Sequence, residues 1–121
     1  MTLRRKEIRW GDYKVLVRQA TYGDAIRRSA IIASVVNAMD GKEDEPGAGL
    51  TLVIAMDYAA CVSATESAEG LDLEALRQNL EAFLNLPDEF VSKWKEAVYE
   101  LNPHWDPKVI FASLSPPSVP S

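Results

Sequence analysis

Residues 6–39 constrain the fold most, because two short runs of alternating apolar residues are separated by Gly11-Asp12 and are followed at once by a helical pattern. A two-residue loop with glycine first favours a type II′ or I′ turn, whose twist matches that of paired strands. The pattern therefore predicts a β-hairpin over residues 6–18, with Trp10 opposite Tyr13. A lone hairpin is marginally stable, so its apolar face needs a cover; that face carries Ile8, Trp10, Tyr13, Val15 and Val17.

The same register pairs Ile8 with Val15 and Lys6 with Val17. Because side chains alternate across a strand, the opposite face of the hairpin is charged, with Leu16 as its apolar exception. We expect this face to meet water or an acidic partner. Its charged residues are Glu7, Arg9, Lys14 and Arg18.

A helix is predicted over residues 22–39, with Thr21 as N-cap and Asp24 in the position of a capping-box acid. Helical spacing predicts an inward stripe of Tyr22, Ala25, Ser29, Ile32, Val36 and Met39. Gly41 favours the end of the helix. Ile31 and Val35 extend the apolar surface beside Arg27 and Arg28. Either a second helix covers these two residues, or they belong to a surface that binds a partner.

The rest of the chain reads as helices laid against this unit. An acidic loop is predicted over residues 40–49, and helices over residues 50–65, 72–85 and 87–101, with a helix favoured over a strand at 50–65 on grounds of length. The hairpin is expected to be the only sheet. Together these elements predict one α+β domain over residues 1–106, with an N-terminal hairpin packed against about four helices. Residues 107–121 are rich in serine and proline and predict a flexible tail.

Charge is distributed unevenly along the chain. Residues 1–30 hold eight Lys and Arg against three Asp and Glu, whereas residues 31–121 hold five against fifteen, so that a net charge of -5 hides a basic end and an acidic body. This asymmetry favours head-to-tail self-association or an acidic partner on the hairpin. Nucleic acid is disfavoured because exposed aromatic residues are not interleaved with the basic ones.

Neither a secretory signal nor an apolar run long enough to cross a bilayer is recognisable, and the single cysteine, Cys61, excludes an internal disulfide. These features fit a reducing cytoplasm.

The sequence contains no catalytic or metal-binding signature, so neither a cofactor nor an enzymatic activity is predicted. His104 is the only histidine and lies in a loop, which favours an exposed turn residue. Cys61 lies among small apolar residues and is expected to be a buried hydrophobe. Asp57 interrupts an apolar run; a residue at a groove edge or a partner of an arginine in the first helix is favoured over a general base. The acids at residues 43–45 lack the spacing of a calcium loop.

The order of features resembles the tail assembly chaperones of long-tailed bacteriophages and prophages over residues 6–103. The resemblance is carried by a hairpin ending in Val15, Val17 and Arg18, by Thr21 and Asp24 at the helix start, by an apolar helix and then a helix containing Asp72-Leu73-Glu74-Ala75-Leu76, and by a last helix between Leu86-Pro87 and Leu101-Asn102-Pro103.

The resemblance implies a non-enzymatic factor of the host cytoplasm that binds the tape measure protein and helps recruit tail tube protein. It also implies self-association and, in many members, a longer frameshifted product. The rival hypothesis is a structural virion component, such as a tail tube or head–tail connector subunit. An apolar strip with a basic rim suits a protein that shields an amphipathic helix. We therefore expect partner binding through Arg9, Lys14, Leu16, Arg18, Arg27, Arg28, Ile31 and Val35.

Overall fold

The computed structural model describes residues 2–38 and 48–114 and confirms an α+β fold with an N-terminal hairpin. In chain order the elements are β1 (Arg5–Trp10), β2 (Tyr13–Arg18), α1 (Tyr22–Ala38), α2 (Ala48–Ser63), β3 (Thr65–Glu69), α3 (Leu73–Arg77), α4 (Leu80–Leu84), α5 (Asp88–Leu101), a 3-10 turn (Pro103–Trp105) and α6 (Pro107–Leu114). Helix α5 packs against β1 and β2 on the face of the sheet that carries Val15 and Val17.

The predicted hairpin register is confirmed. Trp10 lies opposite Tyr13, and the pairing continues through Ile8 with Val15 and Lys6 with Val17. Gly11 has a φ of 57°. No other residue of the described turn has positive φ, which is the pattern of a type II′ turn. The inward face is covered as predicted, because Val15 and Val17 are fully buried.

The expectation that the hairpin is the only sheet is wrong. β3 pairs antiparallel with β2 and gives the strand order β1-β2-β3, with an irregularity in the pairing between Leu16 and Val17. Its sequence, TESAE, is acidic and rich in small residues, so it carries little intrinsic strand preference. The strand forms because it completes hydrogen bonding to β2, which is a tertiary interaction that a local pattern does not contain.

Gly70 lets the chain leave β3 next to the hairpin turn. Its φ is 85°, and a Cβ atom added at this position would lie 2.3 Å from the carbonyl oxygen of Asp12. A side chain therefore meets both an unfavourable backbone conformation and a backbone atom that cannot move away.

The core lies between the sheet and the helices α2 and α5. Segment 50–65 is helical up to Ser63, as predicted, and Thr65 begins the strand. Trp94 is fully buried, and its Nε1 atom donates to Thr65 Oγ1 at 2.8 Å. The Thr65 hydroxyl in turn donates to the carbonyl oxygen of Cys61 at 2.6 Å. The ring of Phe90 stacks on Tyr13 with centroids 4.9 Å apart, which ties α5 to the hairpin.

Two predicted boundaries of the later helices need correction. The helix expected over residues 72–85 is divided into α3 and α4, because Asn79 is extended and caps α4 by accepting from the amide of Ala82. Asp72 caps α3, as predicted. Residues 107–114 form α6 and do not belong to an irregular tail, since Asp106 accepts from the amide of Lys108 at the helix start.

The remainder of the predicted tail and residues 39–47 of the acidic loop lie outside the described residues, whereas Ala48 and Gly49 belong to α2. Among the described helices, none combines the length and the apolar character that a bilayer crossing requires.

Candidate partner-binding site

The outer face of the sheet holds four of the predicted site residues, and their charges are largely paired within the sheet. Arg9 contacts Glu7 at 2.7 Å, and Lys14 lies 3.6 Å from Glu7 and 3.4 Å from Glu69. Leu16 is half-buried between these pairs. The face therefore offers less free positive charge than the hairpin sequence suggests. Glu66 and Glu69 supply much of the compensating negative charge. Both lie on β3, and because the sequence analysis did not predict this strand, it could not place these carboxylates beside the cations of the hairpin.

Arg18 and Asp24 form the most buried ion pair of the described chain and fix the junction between β2 and α1. The Nε and NH2 atoms of Arg18 donate to the two oxygens of Asp24, each at 3.0 Å. The carboxylate also accepts from the amide of Thr21, while the Thr21 hydroxyl accepts from the amide of Asp24. The predicted capping box is therefore confirmed, with an arginine added to it.

Asp24 is only 2% exposed, and burial alone would raise its pKa. The hydrogen bonds from Arg18 and Thr21 outweigh burial, so the pKa of Asp24 lies below its usual value. Arg18 also lies 3.3 Å from Glu66, which holds the guanidinium from the other side. The arginine thus serves the fold, and little of it is free to bind a partner.

Arg27 and Arg28 have different surroundings although they are adjacent. Arg27 lies at the surface, with its NH1 atom 3.6 Å from Asp24. Arg28 packs its guanidinium over the ring of Trp105 at 5.0 Å, and its Nε atom is buried without a hydrogen-bond partner among the described residues. Burial lowers the pKa of Arg28. Arg28 is therefore a packing residue at the edge of the core, which the sequence pattern did not reveal.

The inward stripe predicted for α1 is confirmed for Ala25, which packs against the core cluster, and in part for Ile32, which is partly buried, but its phase is wrong for other members. Tyr22 is 83% exposed and Val36 is 38% exposed, and Ser29 is also exposed. Met39 lies outside the described residues. Besides Ala25 and Ile32, the residues turned toward the protein are Asp24, Arg28, Ile31 and Val35, so the middle of the inward face is rotated from the predicted one by less than about 100°, the angle of one residue along a helix. The rotation follows from the Arg18–Asp24 pair, which holds Asp24 inward at the first turn.

Ile31 and Val35, predicted as an apolar extension, line a groove beside the core. Both side chains are partly buried, and Ile31 packs against the core cluster. The groove has a volume of about 320 Å³ and is bounded by α1 on one side and by Tyr58 and Leu80 on the other. Other elements of the chain therefore cover these residues in part, and whether a partner binds them stays a prediction.

One side of α1, which we call its outer face, carries no charge and is mainly apolar. Its residues repeat at helical spacing, and Ile26, in the middle of this face, is 53% exposed. Within the described part of the chain, α2 is the one element on which α1 packs extensively. Helix α1 therefore has apolar residues on two sides, and within the described residues only the side that faces α2 is covered. We define the outer face by Tyr22, Ile26, Ser29, Ala33 and Val36.

The remaining candidates have the following surroundings. Asp57 accepts from the Tyr99 hydroxyl at 2.5 Å and lies 3.4 Å from Lys95 Nζ, so its partners come from α5 and not from an arginine of α1. Burial and the hydrogen bond to Asp57 raise the pKa of Tyr99.

Cys61 is fully buried, as predicted, and burial raises the pKa of its thiol. His104 is exposed, as predicted.

In residues 2–38 and 48–114, no three His, Cys, Asp or Glu side chains come together as a metal ion would require. Comparison of the chain with protein-family models, with curated proteins and with solved structures finds no match.

Proposed function

We propose that this chain is a non-enzymatic tail assembly chaperone of a long-tailed phage or prophage. In this role it would act in the host cytoplasm, bind the tape measure protein and promote assembly of the tail tube. The family resemblance of residues 6–103 motivates the proposal. The proposal depends on one observation: α1 has apolar residues on two sides, and the described residues cover only one of these sides.

The physical argument starts from the cost of leaving apolar surface in water. A surface helix of a self-contained protein normally has one apolar stripe facing the core and a charged outer face. The outer face of α1 instead presents Tyr22, Ile26 and Val36 with small residues between them. Small residues allow a second helix to approach closely, and the larger ones supply contact area. This surface suits an amphipathic helix, which is the recognition mode that a chaperone for a long helical protein requires.

The rim of this surface also suits reversible binding. Arg27, exposed by 40% of its side chain, lies on the flank of α1, about 100° round the helix from Ile26, with its NH1 atom 3.6 Å from Asp24. A basic residue at the edge favours approach of an acidic or amphipathic helix without adding a deeply buried charge pair. The groove at Ile31 and Val35 supplies a second, smaller apolar contact on the same helix.

Co-expression with a helical fragment of the tape measure protein encoded by the same genome tests the proposal. A soluble complex that co-purifies is expected, and Ile26→Asp is expected to abolish it. The matched control is Leu84→Asp, because Leu84 on α4 has the same 53% exposure. Both variants should fold as stably as the original chain, since neither position is buried.

Three results would contradict the proposal. The first is the absence of a complex with the fragment. The second is equal loss of binding in the Ile26 and Leu84 variants, which would place the contact elsewhere. The third is recovery of the protein at high copy number from purified virions, which would favour a structural tail tube or connector subunit.

A further inference from the structure

β1 is an edge strand of the sheet, because the strand order is β1-β2-β3 and β1 pairs with β2 alone among the described strands. In a hairpin with a two-residue loop, the residues that flank the loop form a hydrogen-bonded pair, here Trp10 and Tyr13. Bonded and non-bonded pairs then alternate along the strand. The backbone N–H and C=O groups of Arg5, Glu7 and Arg9 therefore point away from β2.

The hydrogen bonds of the chain agree with this alternation. The amide of Gln19 donates to the carbonyl oxygen of Arg4 at 2.8 Å, which is the bonded phase of the hairpin continued by one pair. Within residues 2–38 and 48–114, the outward backbone groups of Arg5, Glu7 and Arg9 take part in no hydrogen bond. The edge of β1 thus offers three donors and three acceptors to another extended backbone.

A groove runs along this edge, between β1 and α5. It consists of two adjoining recesses of about 300 Å³ and 420 Å³, which share Lys6 in their lining. Helix α5 contributes Glu96 and Ala97 to the first recess and Glu100 and Leu101 to the second. An edge strand beside a helix is the arrangement that strand addition uses, because the added segment bonds to the strand and contacts the helix with its side chains.

The groove has a net charge of +2, because five cations and three carboxylates line it. The cations are Arg4, Arg5, Lys6, Arg9 and Lys93, and the carboxylates are Glu7, Glu96 and Glu100. Most of these cations are paired, but the pairs do not remove the excess. Following the ion pairs outward adds as many cations as carboxylates, namely Lys14, Arg18 and Arg27 against Asp24, Glu66 and Glu69.

From this edge and its groove we propose that β1 binds an extended acidic segment of a partner polypeptide, which adds to the sheet as a fourth strand. The pairing is antiparallel, the more stable of the two per residue, and main-chain hydrogen bonds to Arg5, Glu7 and Arg9 supply affinity. Carboxylates four residues apart in the segment lie opposite Arg5 and Arg9 on the outer face of the sheet. Charged side chains on an edge keep most strands away, and these exclude a basic segment and admit an acidic one.

The charges also argue against a second copy of this chain as the occupant. Antiparallel pairing of two β1 strands would set Arg5 of each copy opposite Arg9 of the other, and like charges in that position are destabilising. The other edge strand, β3, carries Glu66 and Glu69, but cations of the same sheet already contact both carboxylates. A separate partner with free carboxylates therefore fits the edge better.

This inference goes beyond the proposed function and does not depend on it. The test is a two-dimensional ¹⁵N–¹H NMR titration of the full chain, combined with amide hydrogen exchange, with the capped peptide Thr-Glu-Val-Thr-Val-Glu-Thr as the probe. Its glutamates fall opposite Arg5 and Arg9, and its central threonine falls opposite Glu7. We expect chemical-shift changes and slower exchange at the amides of these three residues.

Matched peptides separate the backbone contribution from the charge contribution. N-methylation of both glutamates removes amides that face β1 and should weaken binding at least about tenfold, whereas N-methylation of both valines, whose amides point away from β1, should change it by less than about twofold. Lysine in place of both glutamates should weaken binding about tenfold.

A charge reversal on the chain tests the same contact from the other side. Arg9→Glu should weaken binding of the glutamate peptide about fivefold and strengthen binding of the lysine peptide. Lys108→Glu is the matched control, because Lys108 is exposed on α6 and does not line the groove.

Four results would overturn the proposal: no shifts at the β1 amides at millimolar peptide, equal binding of the two N-methylated peptides, equal binding of the glutamate and lysine peptides, or equal weakening by Arg9→Glu and Lys108→Glu. Protection of the β1 amides in the free chain that rises with protein concentration would also overturn it, since a second copy would then occupy the edge. If the spectrum of Arg9→Glu is that of an unfolded chain, the N-methylated peptides decide on the original chain.

Discussion

Replacing Asp24 by asparagine tests the ion pair that orients α1. The substitution keeps the size of the side chain and one acceptor oxygen, but it removes the charge that receives two bonds of 3.0 Å from Arg18. Loss of one partner of a buried pair costs about 3–5 kcal/mol. Arg18 is 23% exposed and keeps a contact with Glu66 at 3.3 Å, which offsets part of this cost. We expect Asp24→Asn to lower the free energy of unfolding by about 2–3 kcal/mol.

The measurement is guanidinium chloride unfolding followed by tryptophan fluorescence, at several pH values. Because the pKa of Asp24 is lowered in the folded chain, its contribution is fully present above the unfolded pKa and is lost as the pH falls through the folded pKa. The difference between the original chain and Asp24→Asn should therefore be constant above about pH 5 and should narrow below about pH 4. Asp88→Asn is the matched control, since Asp88 lies exposed in the first turn of α5. A loss in Asp24→Asn no larger than in this control would refute the reasoning.

Three further perturbations separate local causes. Gly70→Ala should lower the free energy of unfolding by well over ~1 kcal/mol, because the added Cβ atom would meet the backbone of Asp12. Gly11→Ala should lower it by about 1 kcal/mol, because nothing lies within 4 Å of the added Cβ atom. Equal losses of stability in chemical unfolding would contradict this reasoning. Thr65→Val leaves the Trp94 ring nitrogen buried without a partner and should cost about 2–3 kcal/mol, with a changed near-ultraviolet circular dichroism spectrum; an unchanged midpoint would exclude this role. Arg28→Glu should cost about 2–4 kcal/mol, because it buries a carboxylate against Trp105, and Arg28→Met should restore much of the loss; identical melting of both variants would contradict the packing role.

The register of the hairpin could be predicted, because its determinants are local; the first strand begins at Arg5, one residue before the predicted bound. Alternation fixes which face each side chain occupies, and the glycine in the first loop position fixes the turn and hence the register. The same holds for the cap formed by Thr21 and Asp24, which depends on groups three residues apart. Tertiary contacts determine where the hairpin and the start of α1 lie in the fold, but they do not change the turn, the register or the cap.

β3 could not be predicted in this way, because its cause is distant in sequence. TESAE contains one β-branched residue and two glutamates, which locally favour a loop. In the folded chain Thr65 accepts from Trp94, Glu66 pairs with Arg5 and Arg18, and the backbone completes the ladder of β2. Those partners come from three separate elements. The predicted basic face of the hairpin lost most of its free charge for the same reason.

The phase of α1 was wrong for a physical reason that also bears on function. Hydrophobic periodicity assigns the most apolar stripe to the core, and it assumes that polar residues stay outside. In α1 the first inward position is Asp24, held by Arg18, and the next is Arg28, which packs on Trp105. Two polar anchors thus outweigh the apolar stripe, because each satisfies a strong interaction that only one rotation of the helix permits. Tyr22 and Val36 of the predicted stripe, together with Ile26 beside them, are left exposed among the described residues, and apolar surface in water costs free energy. Under the proposed function, a partner helix on this face would recover that cost, and the two polar residues that set the rotation of α1 would also be the reason why the face is exposed.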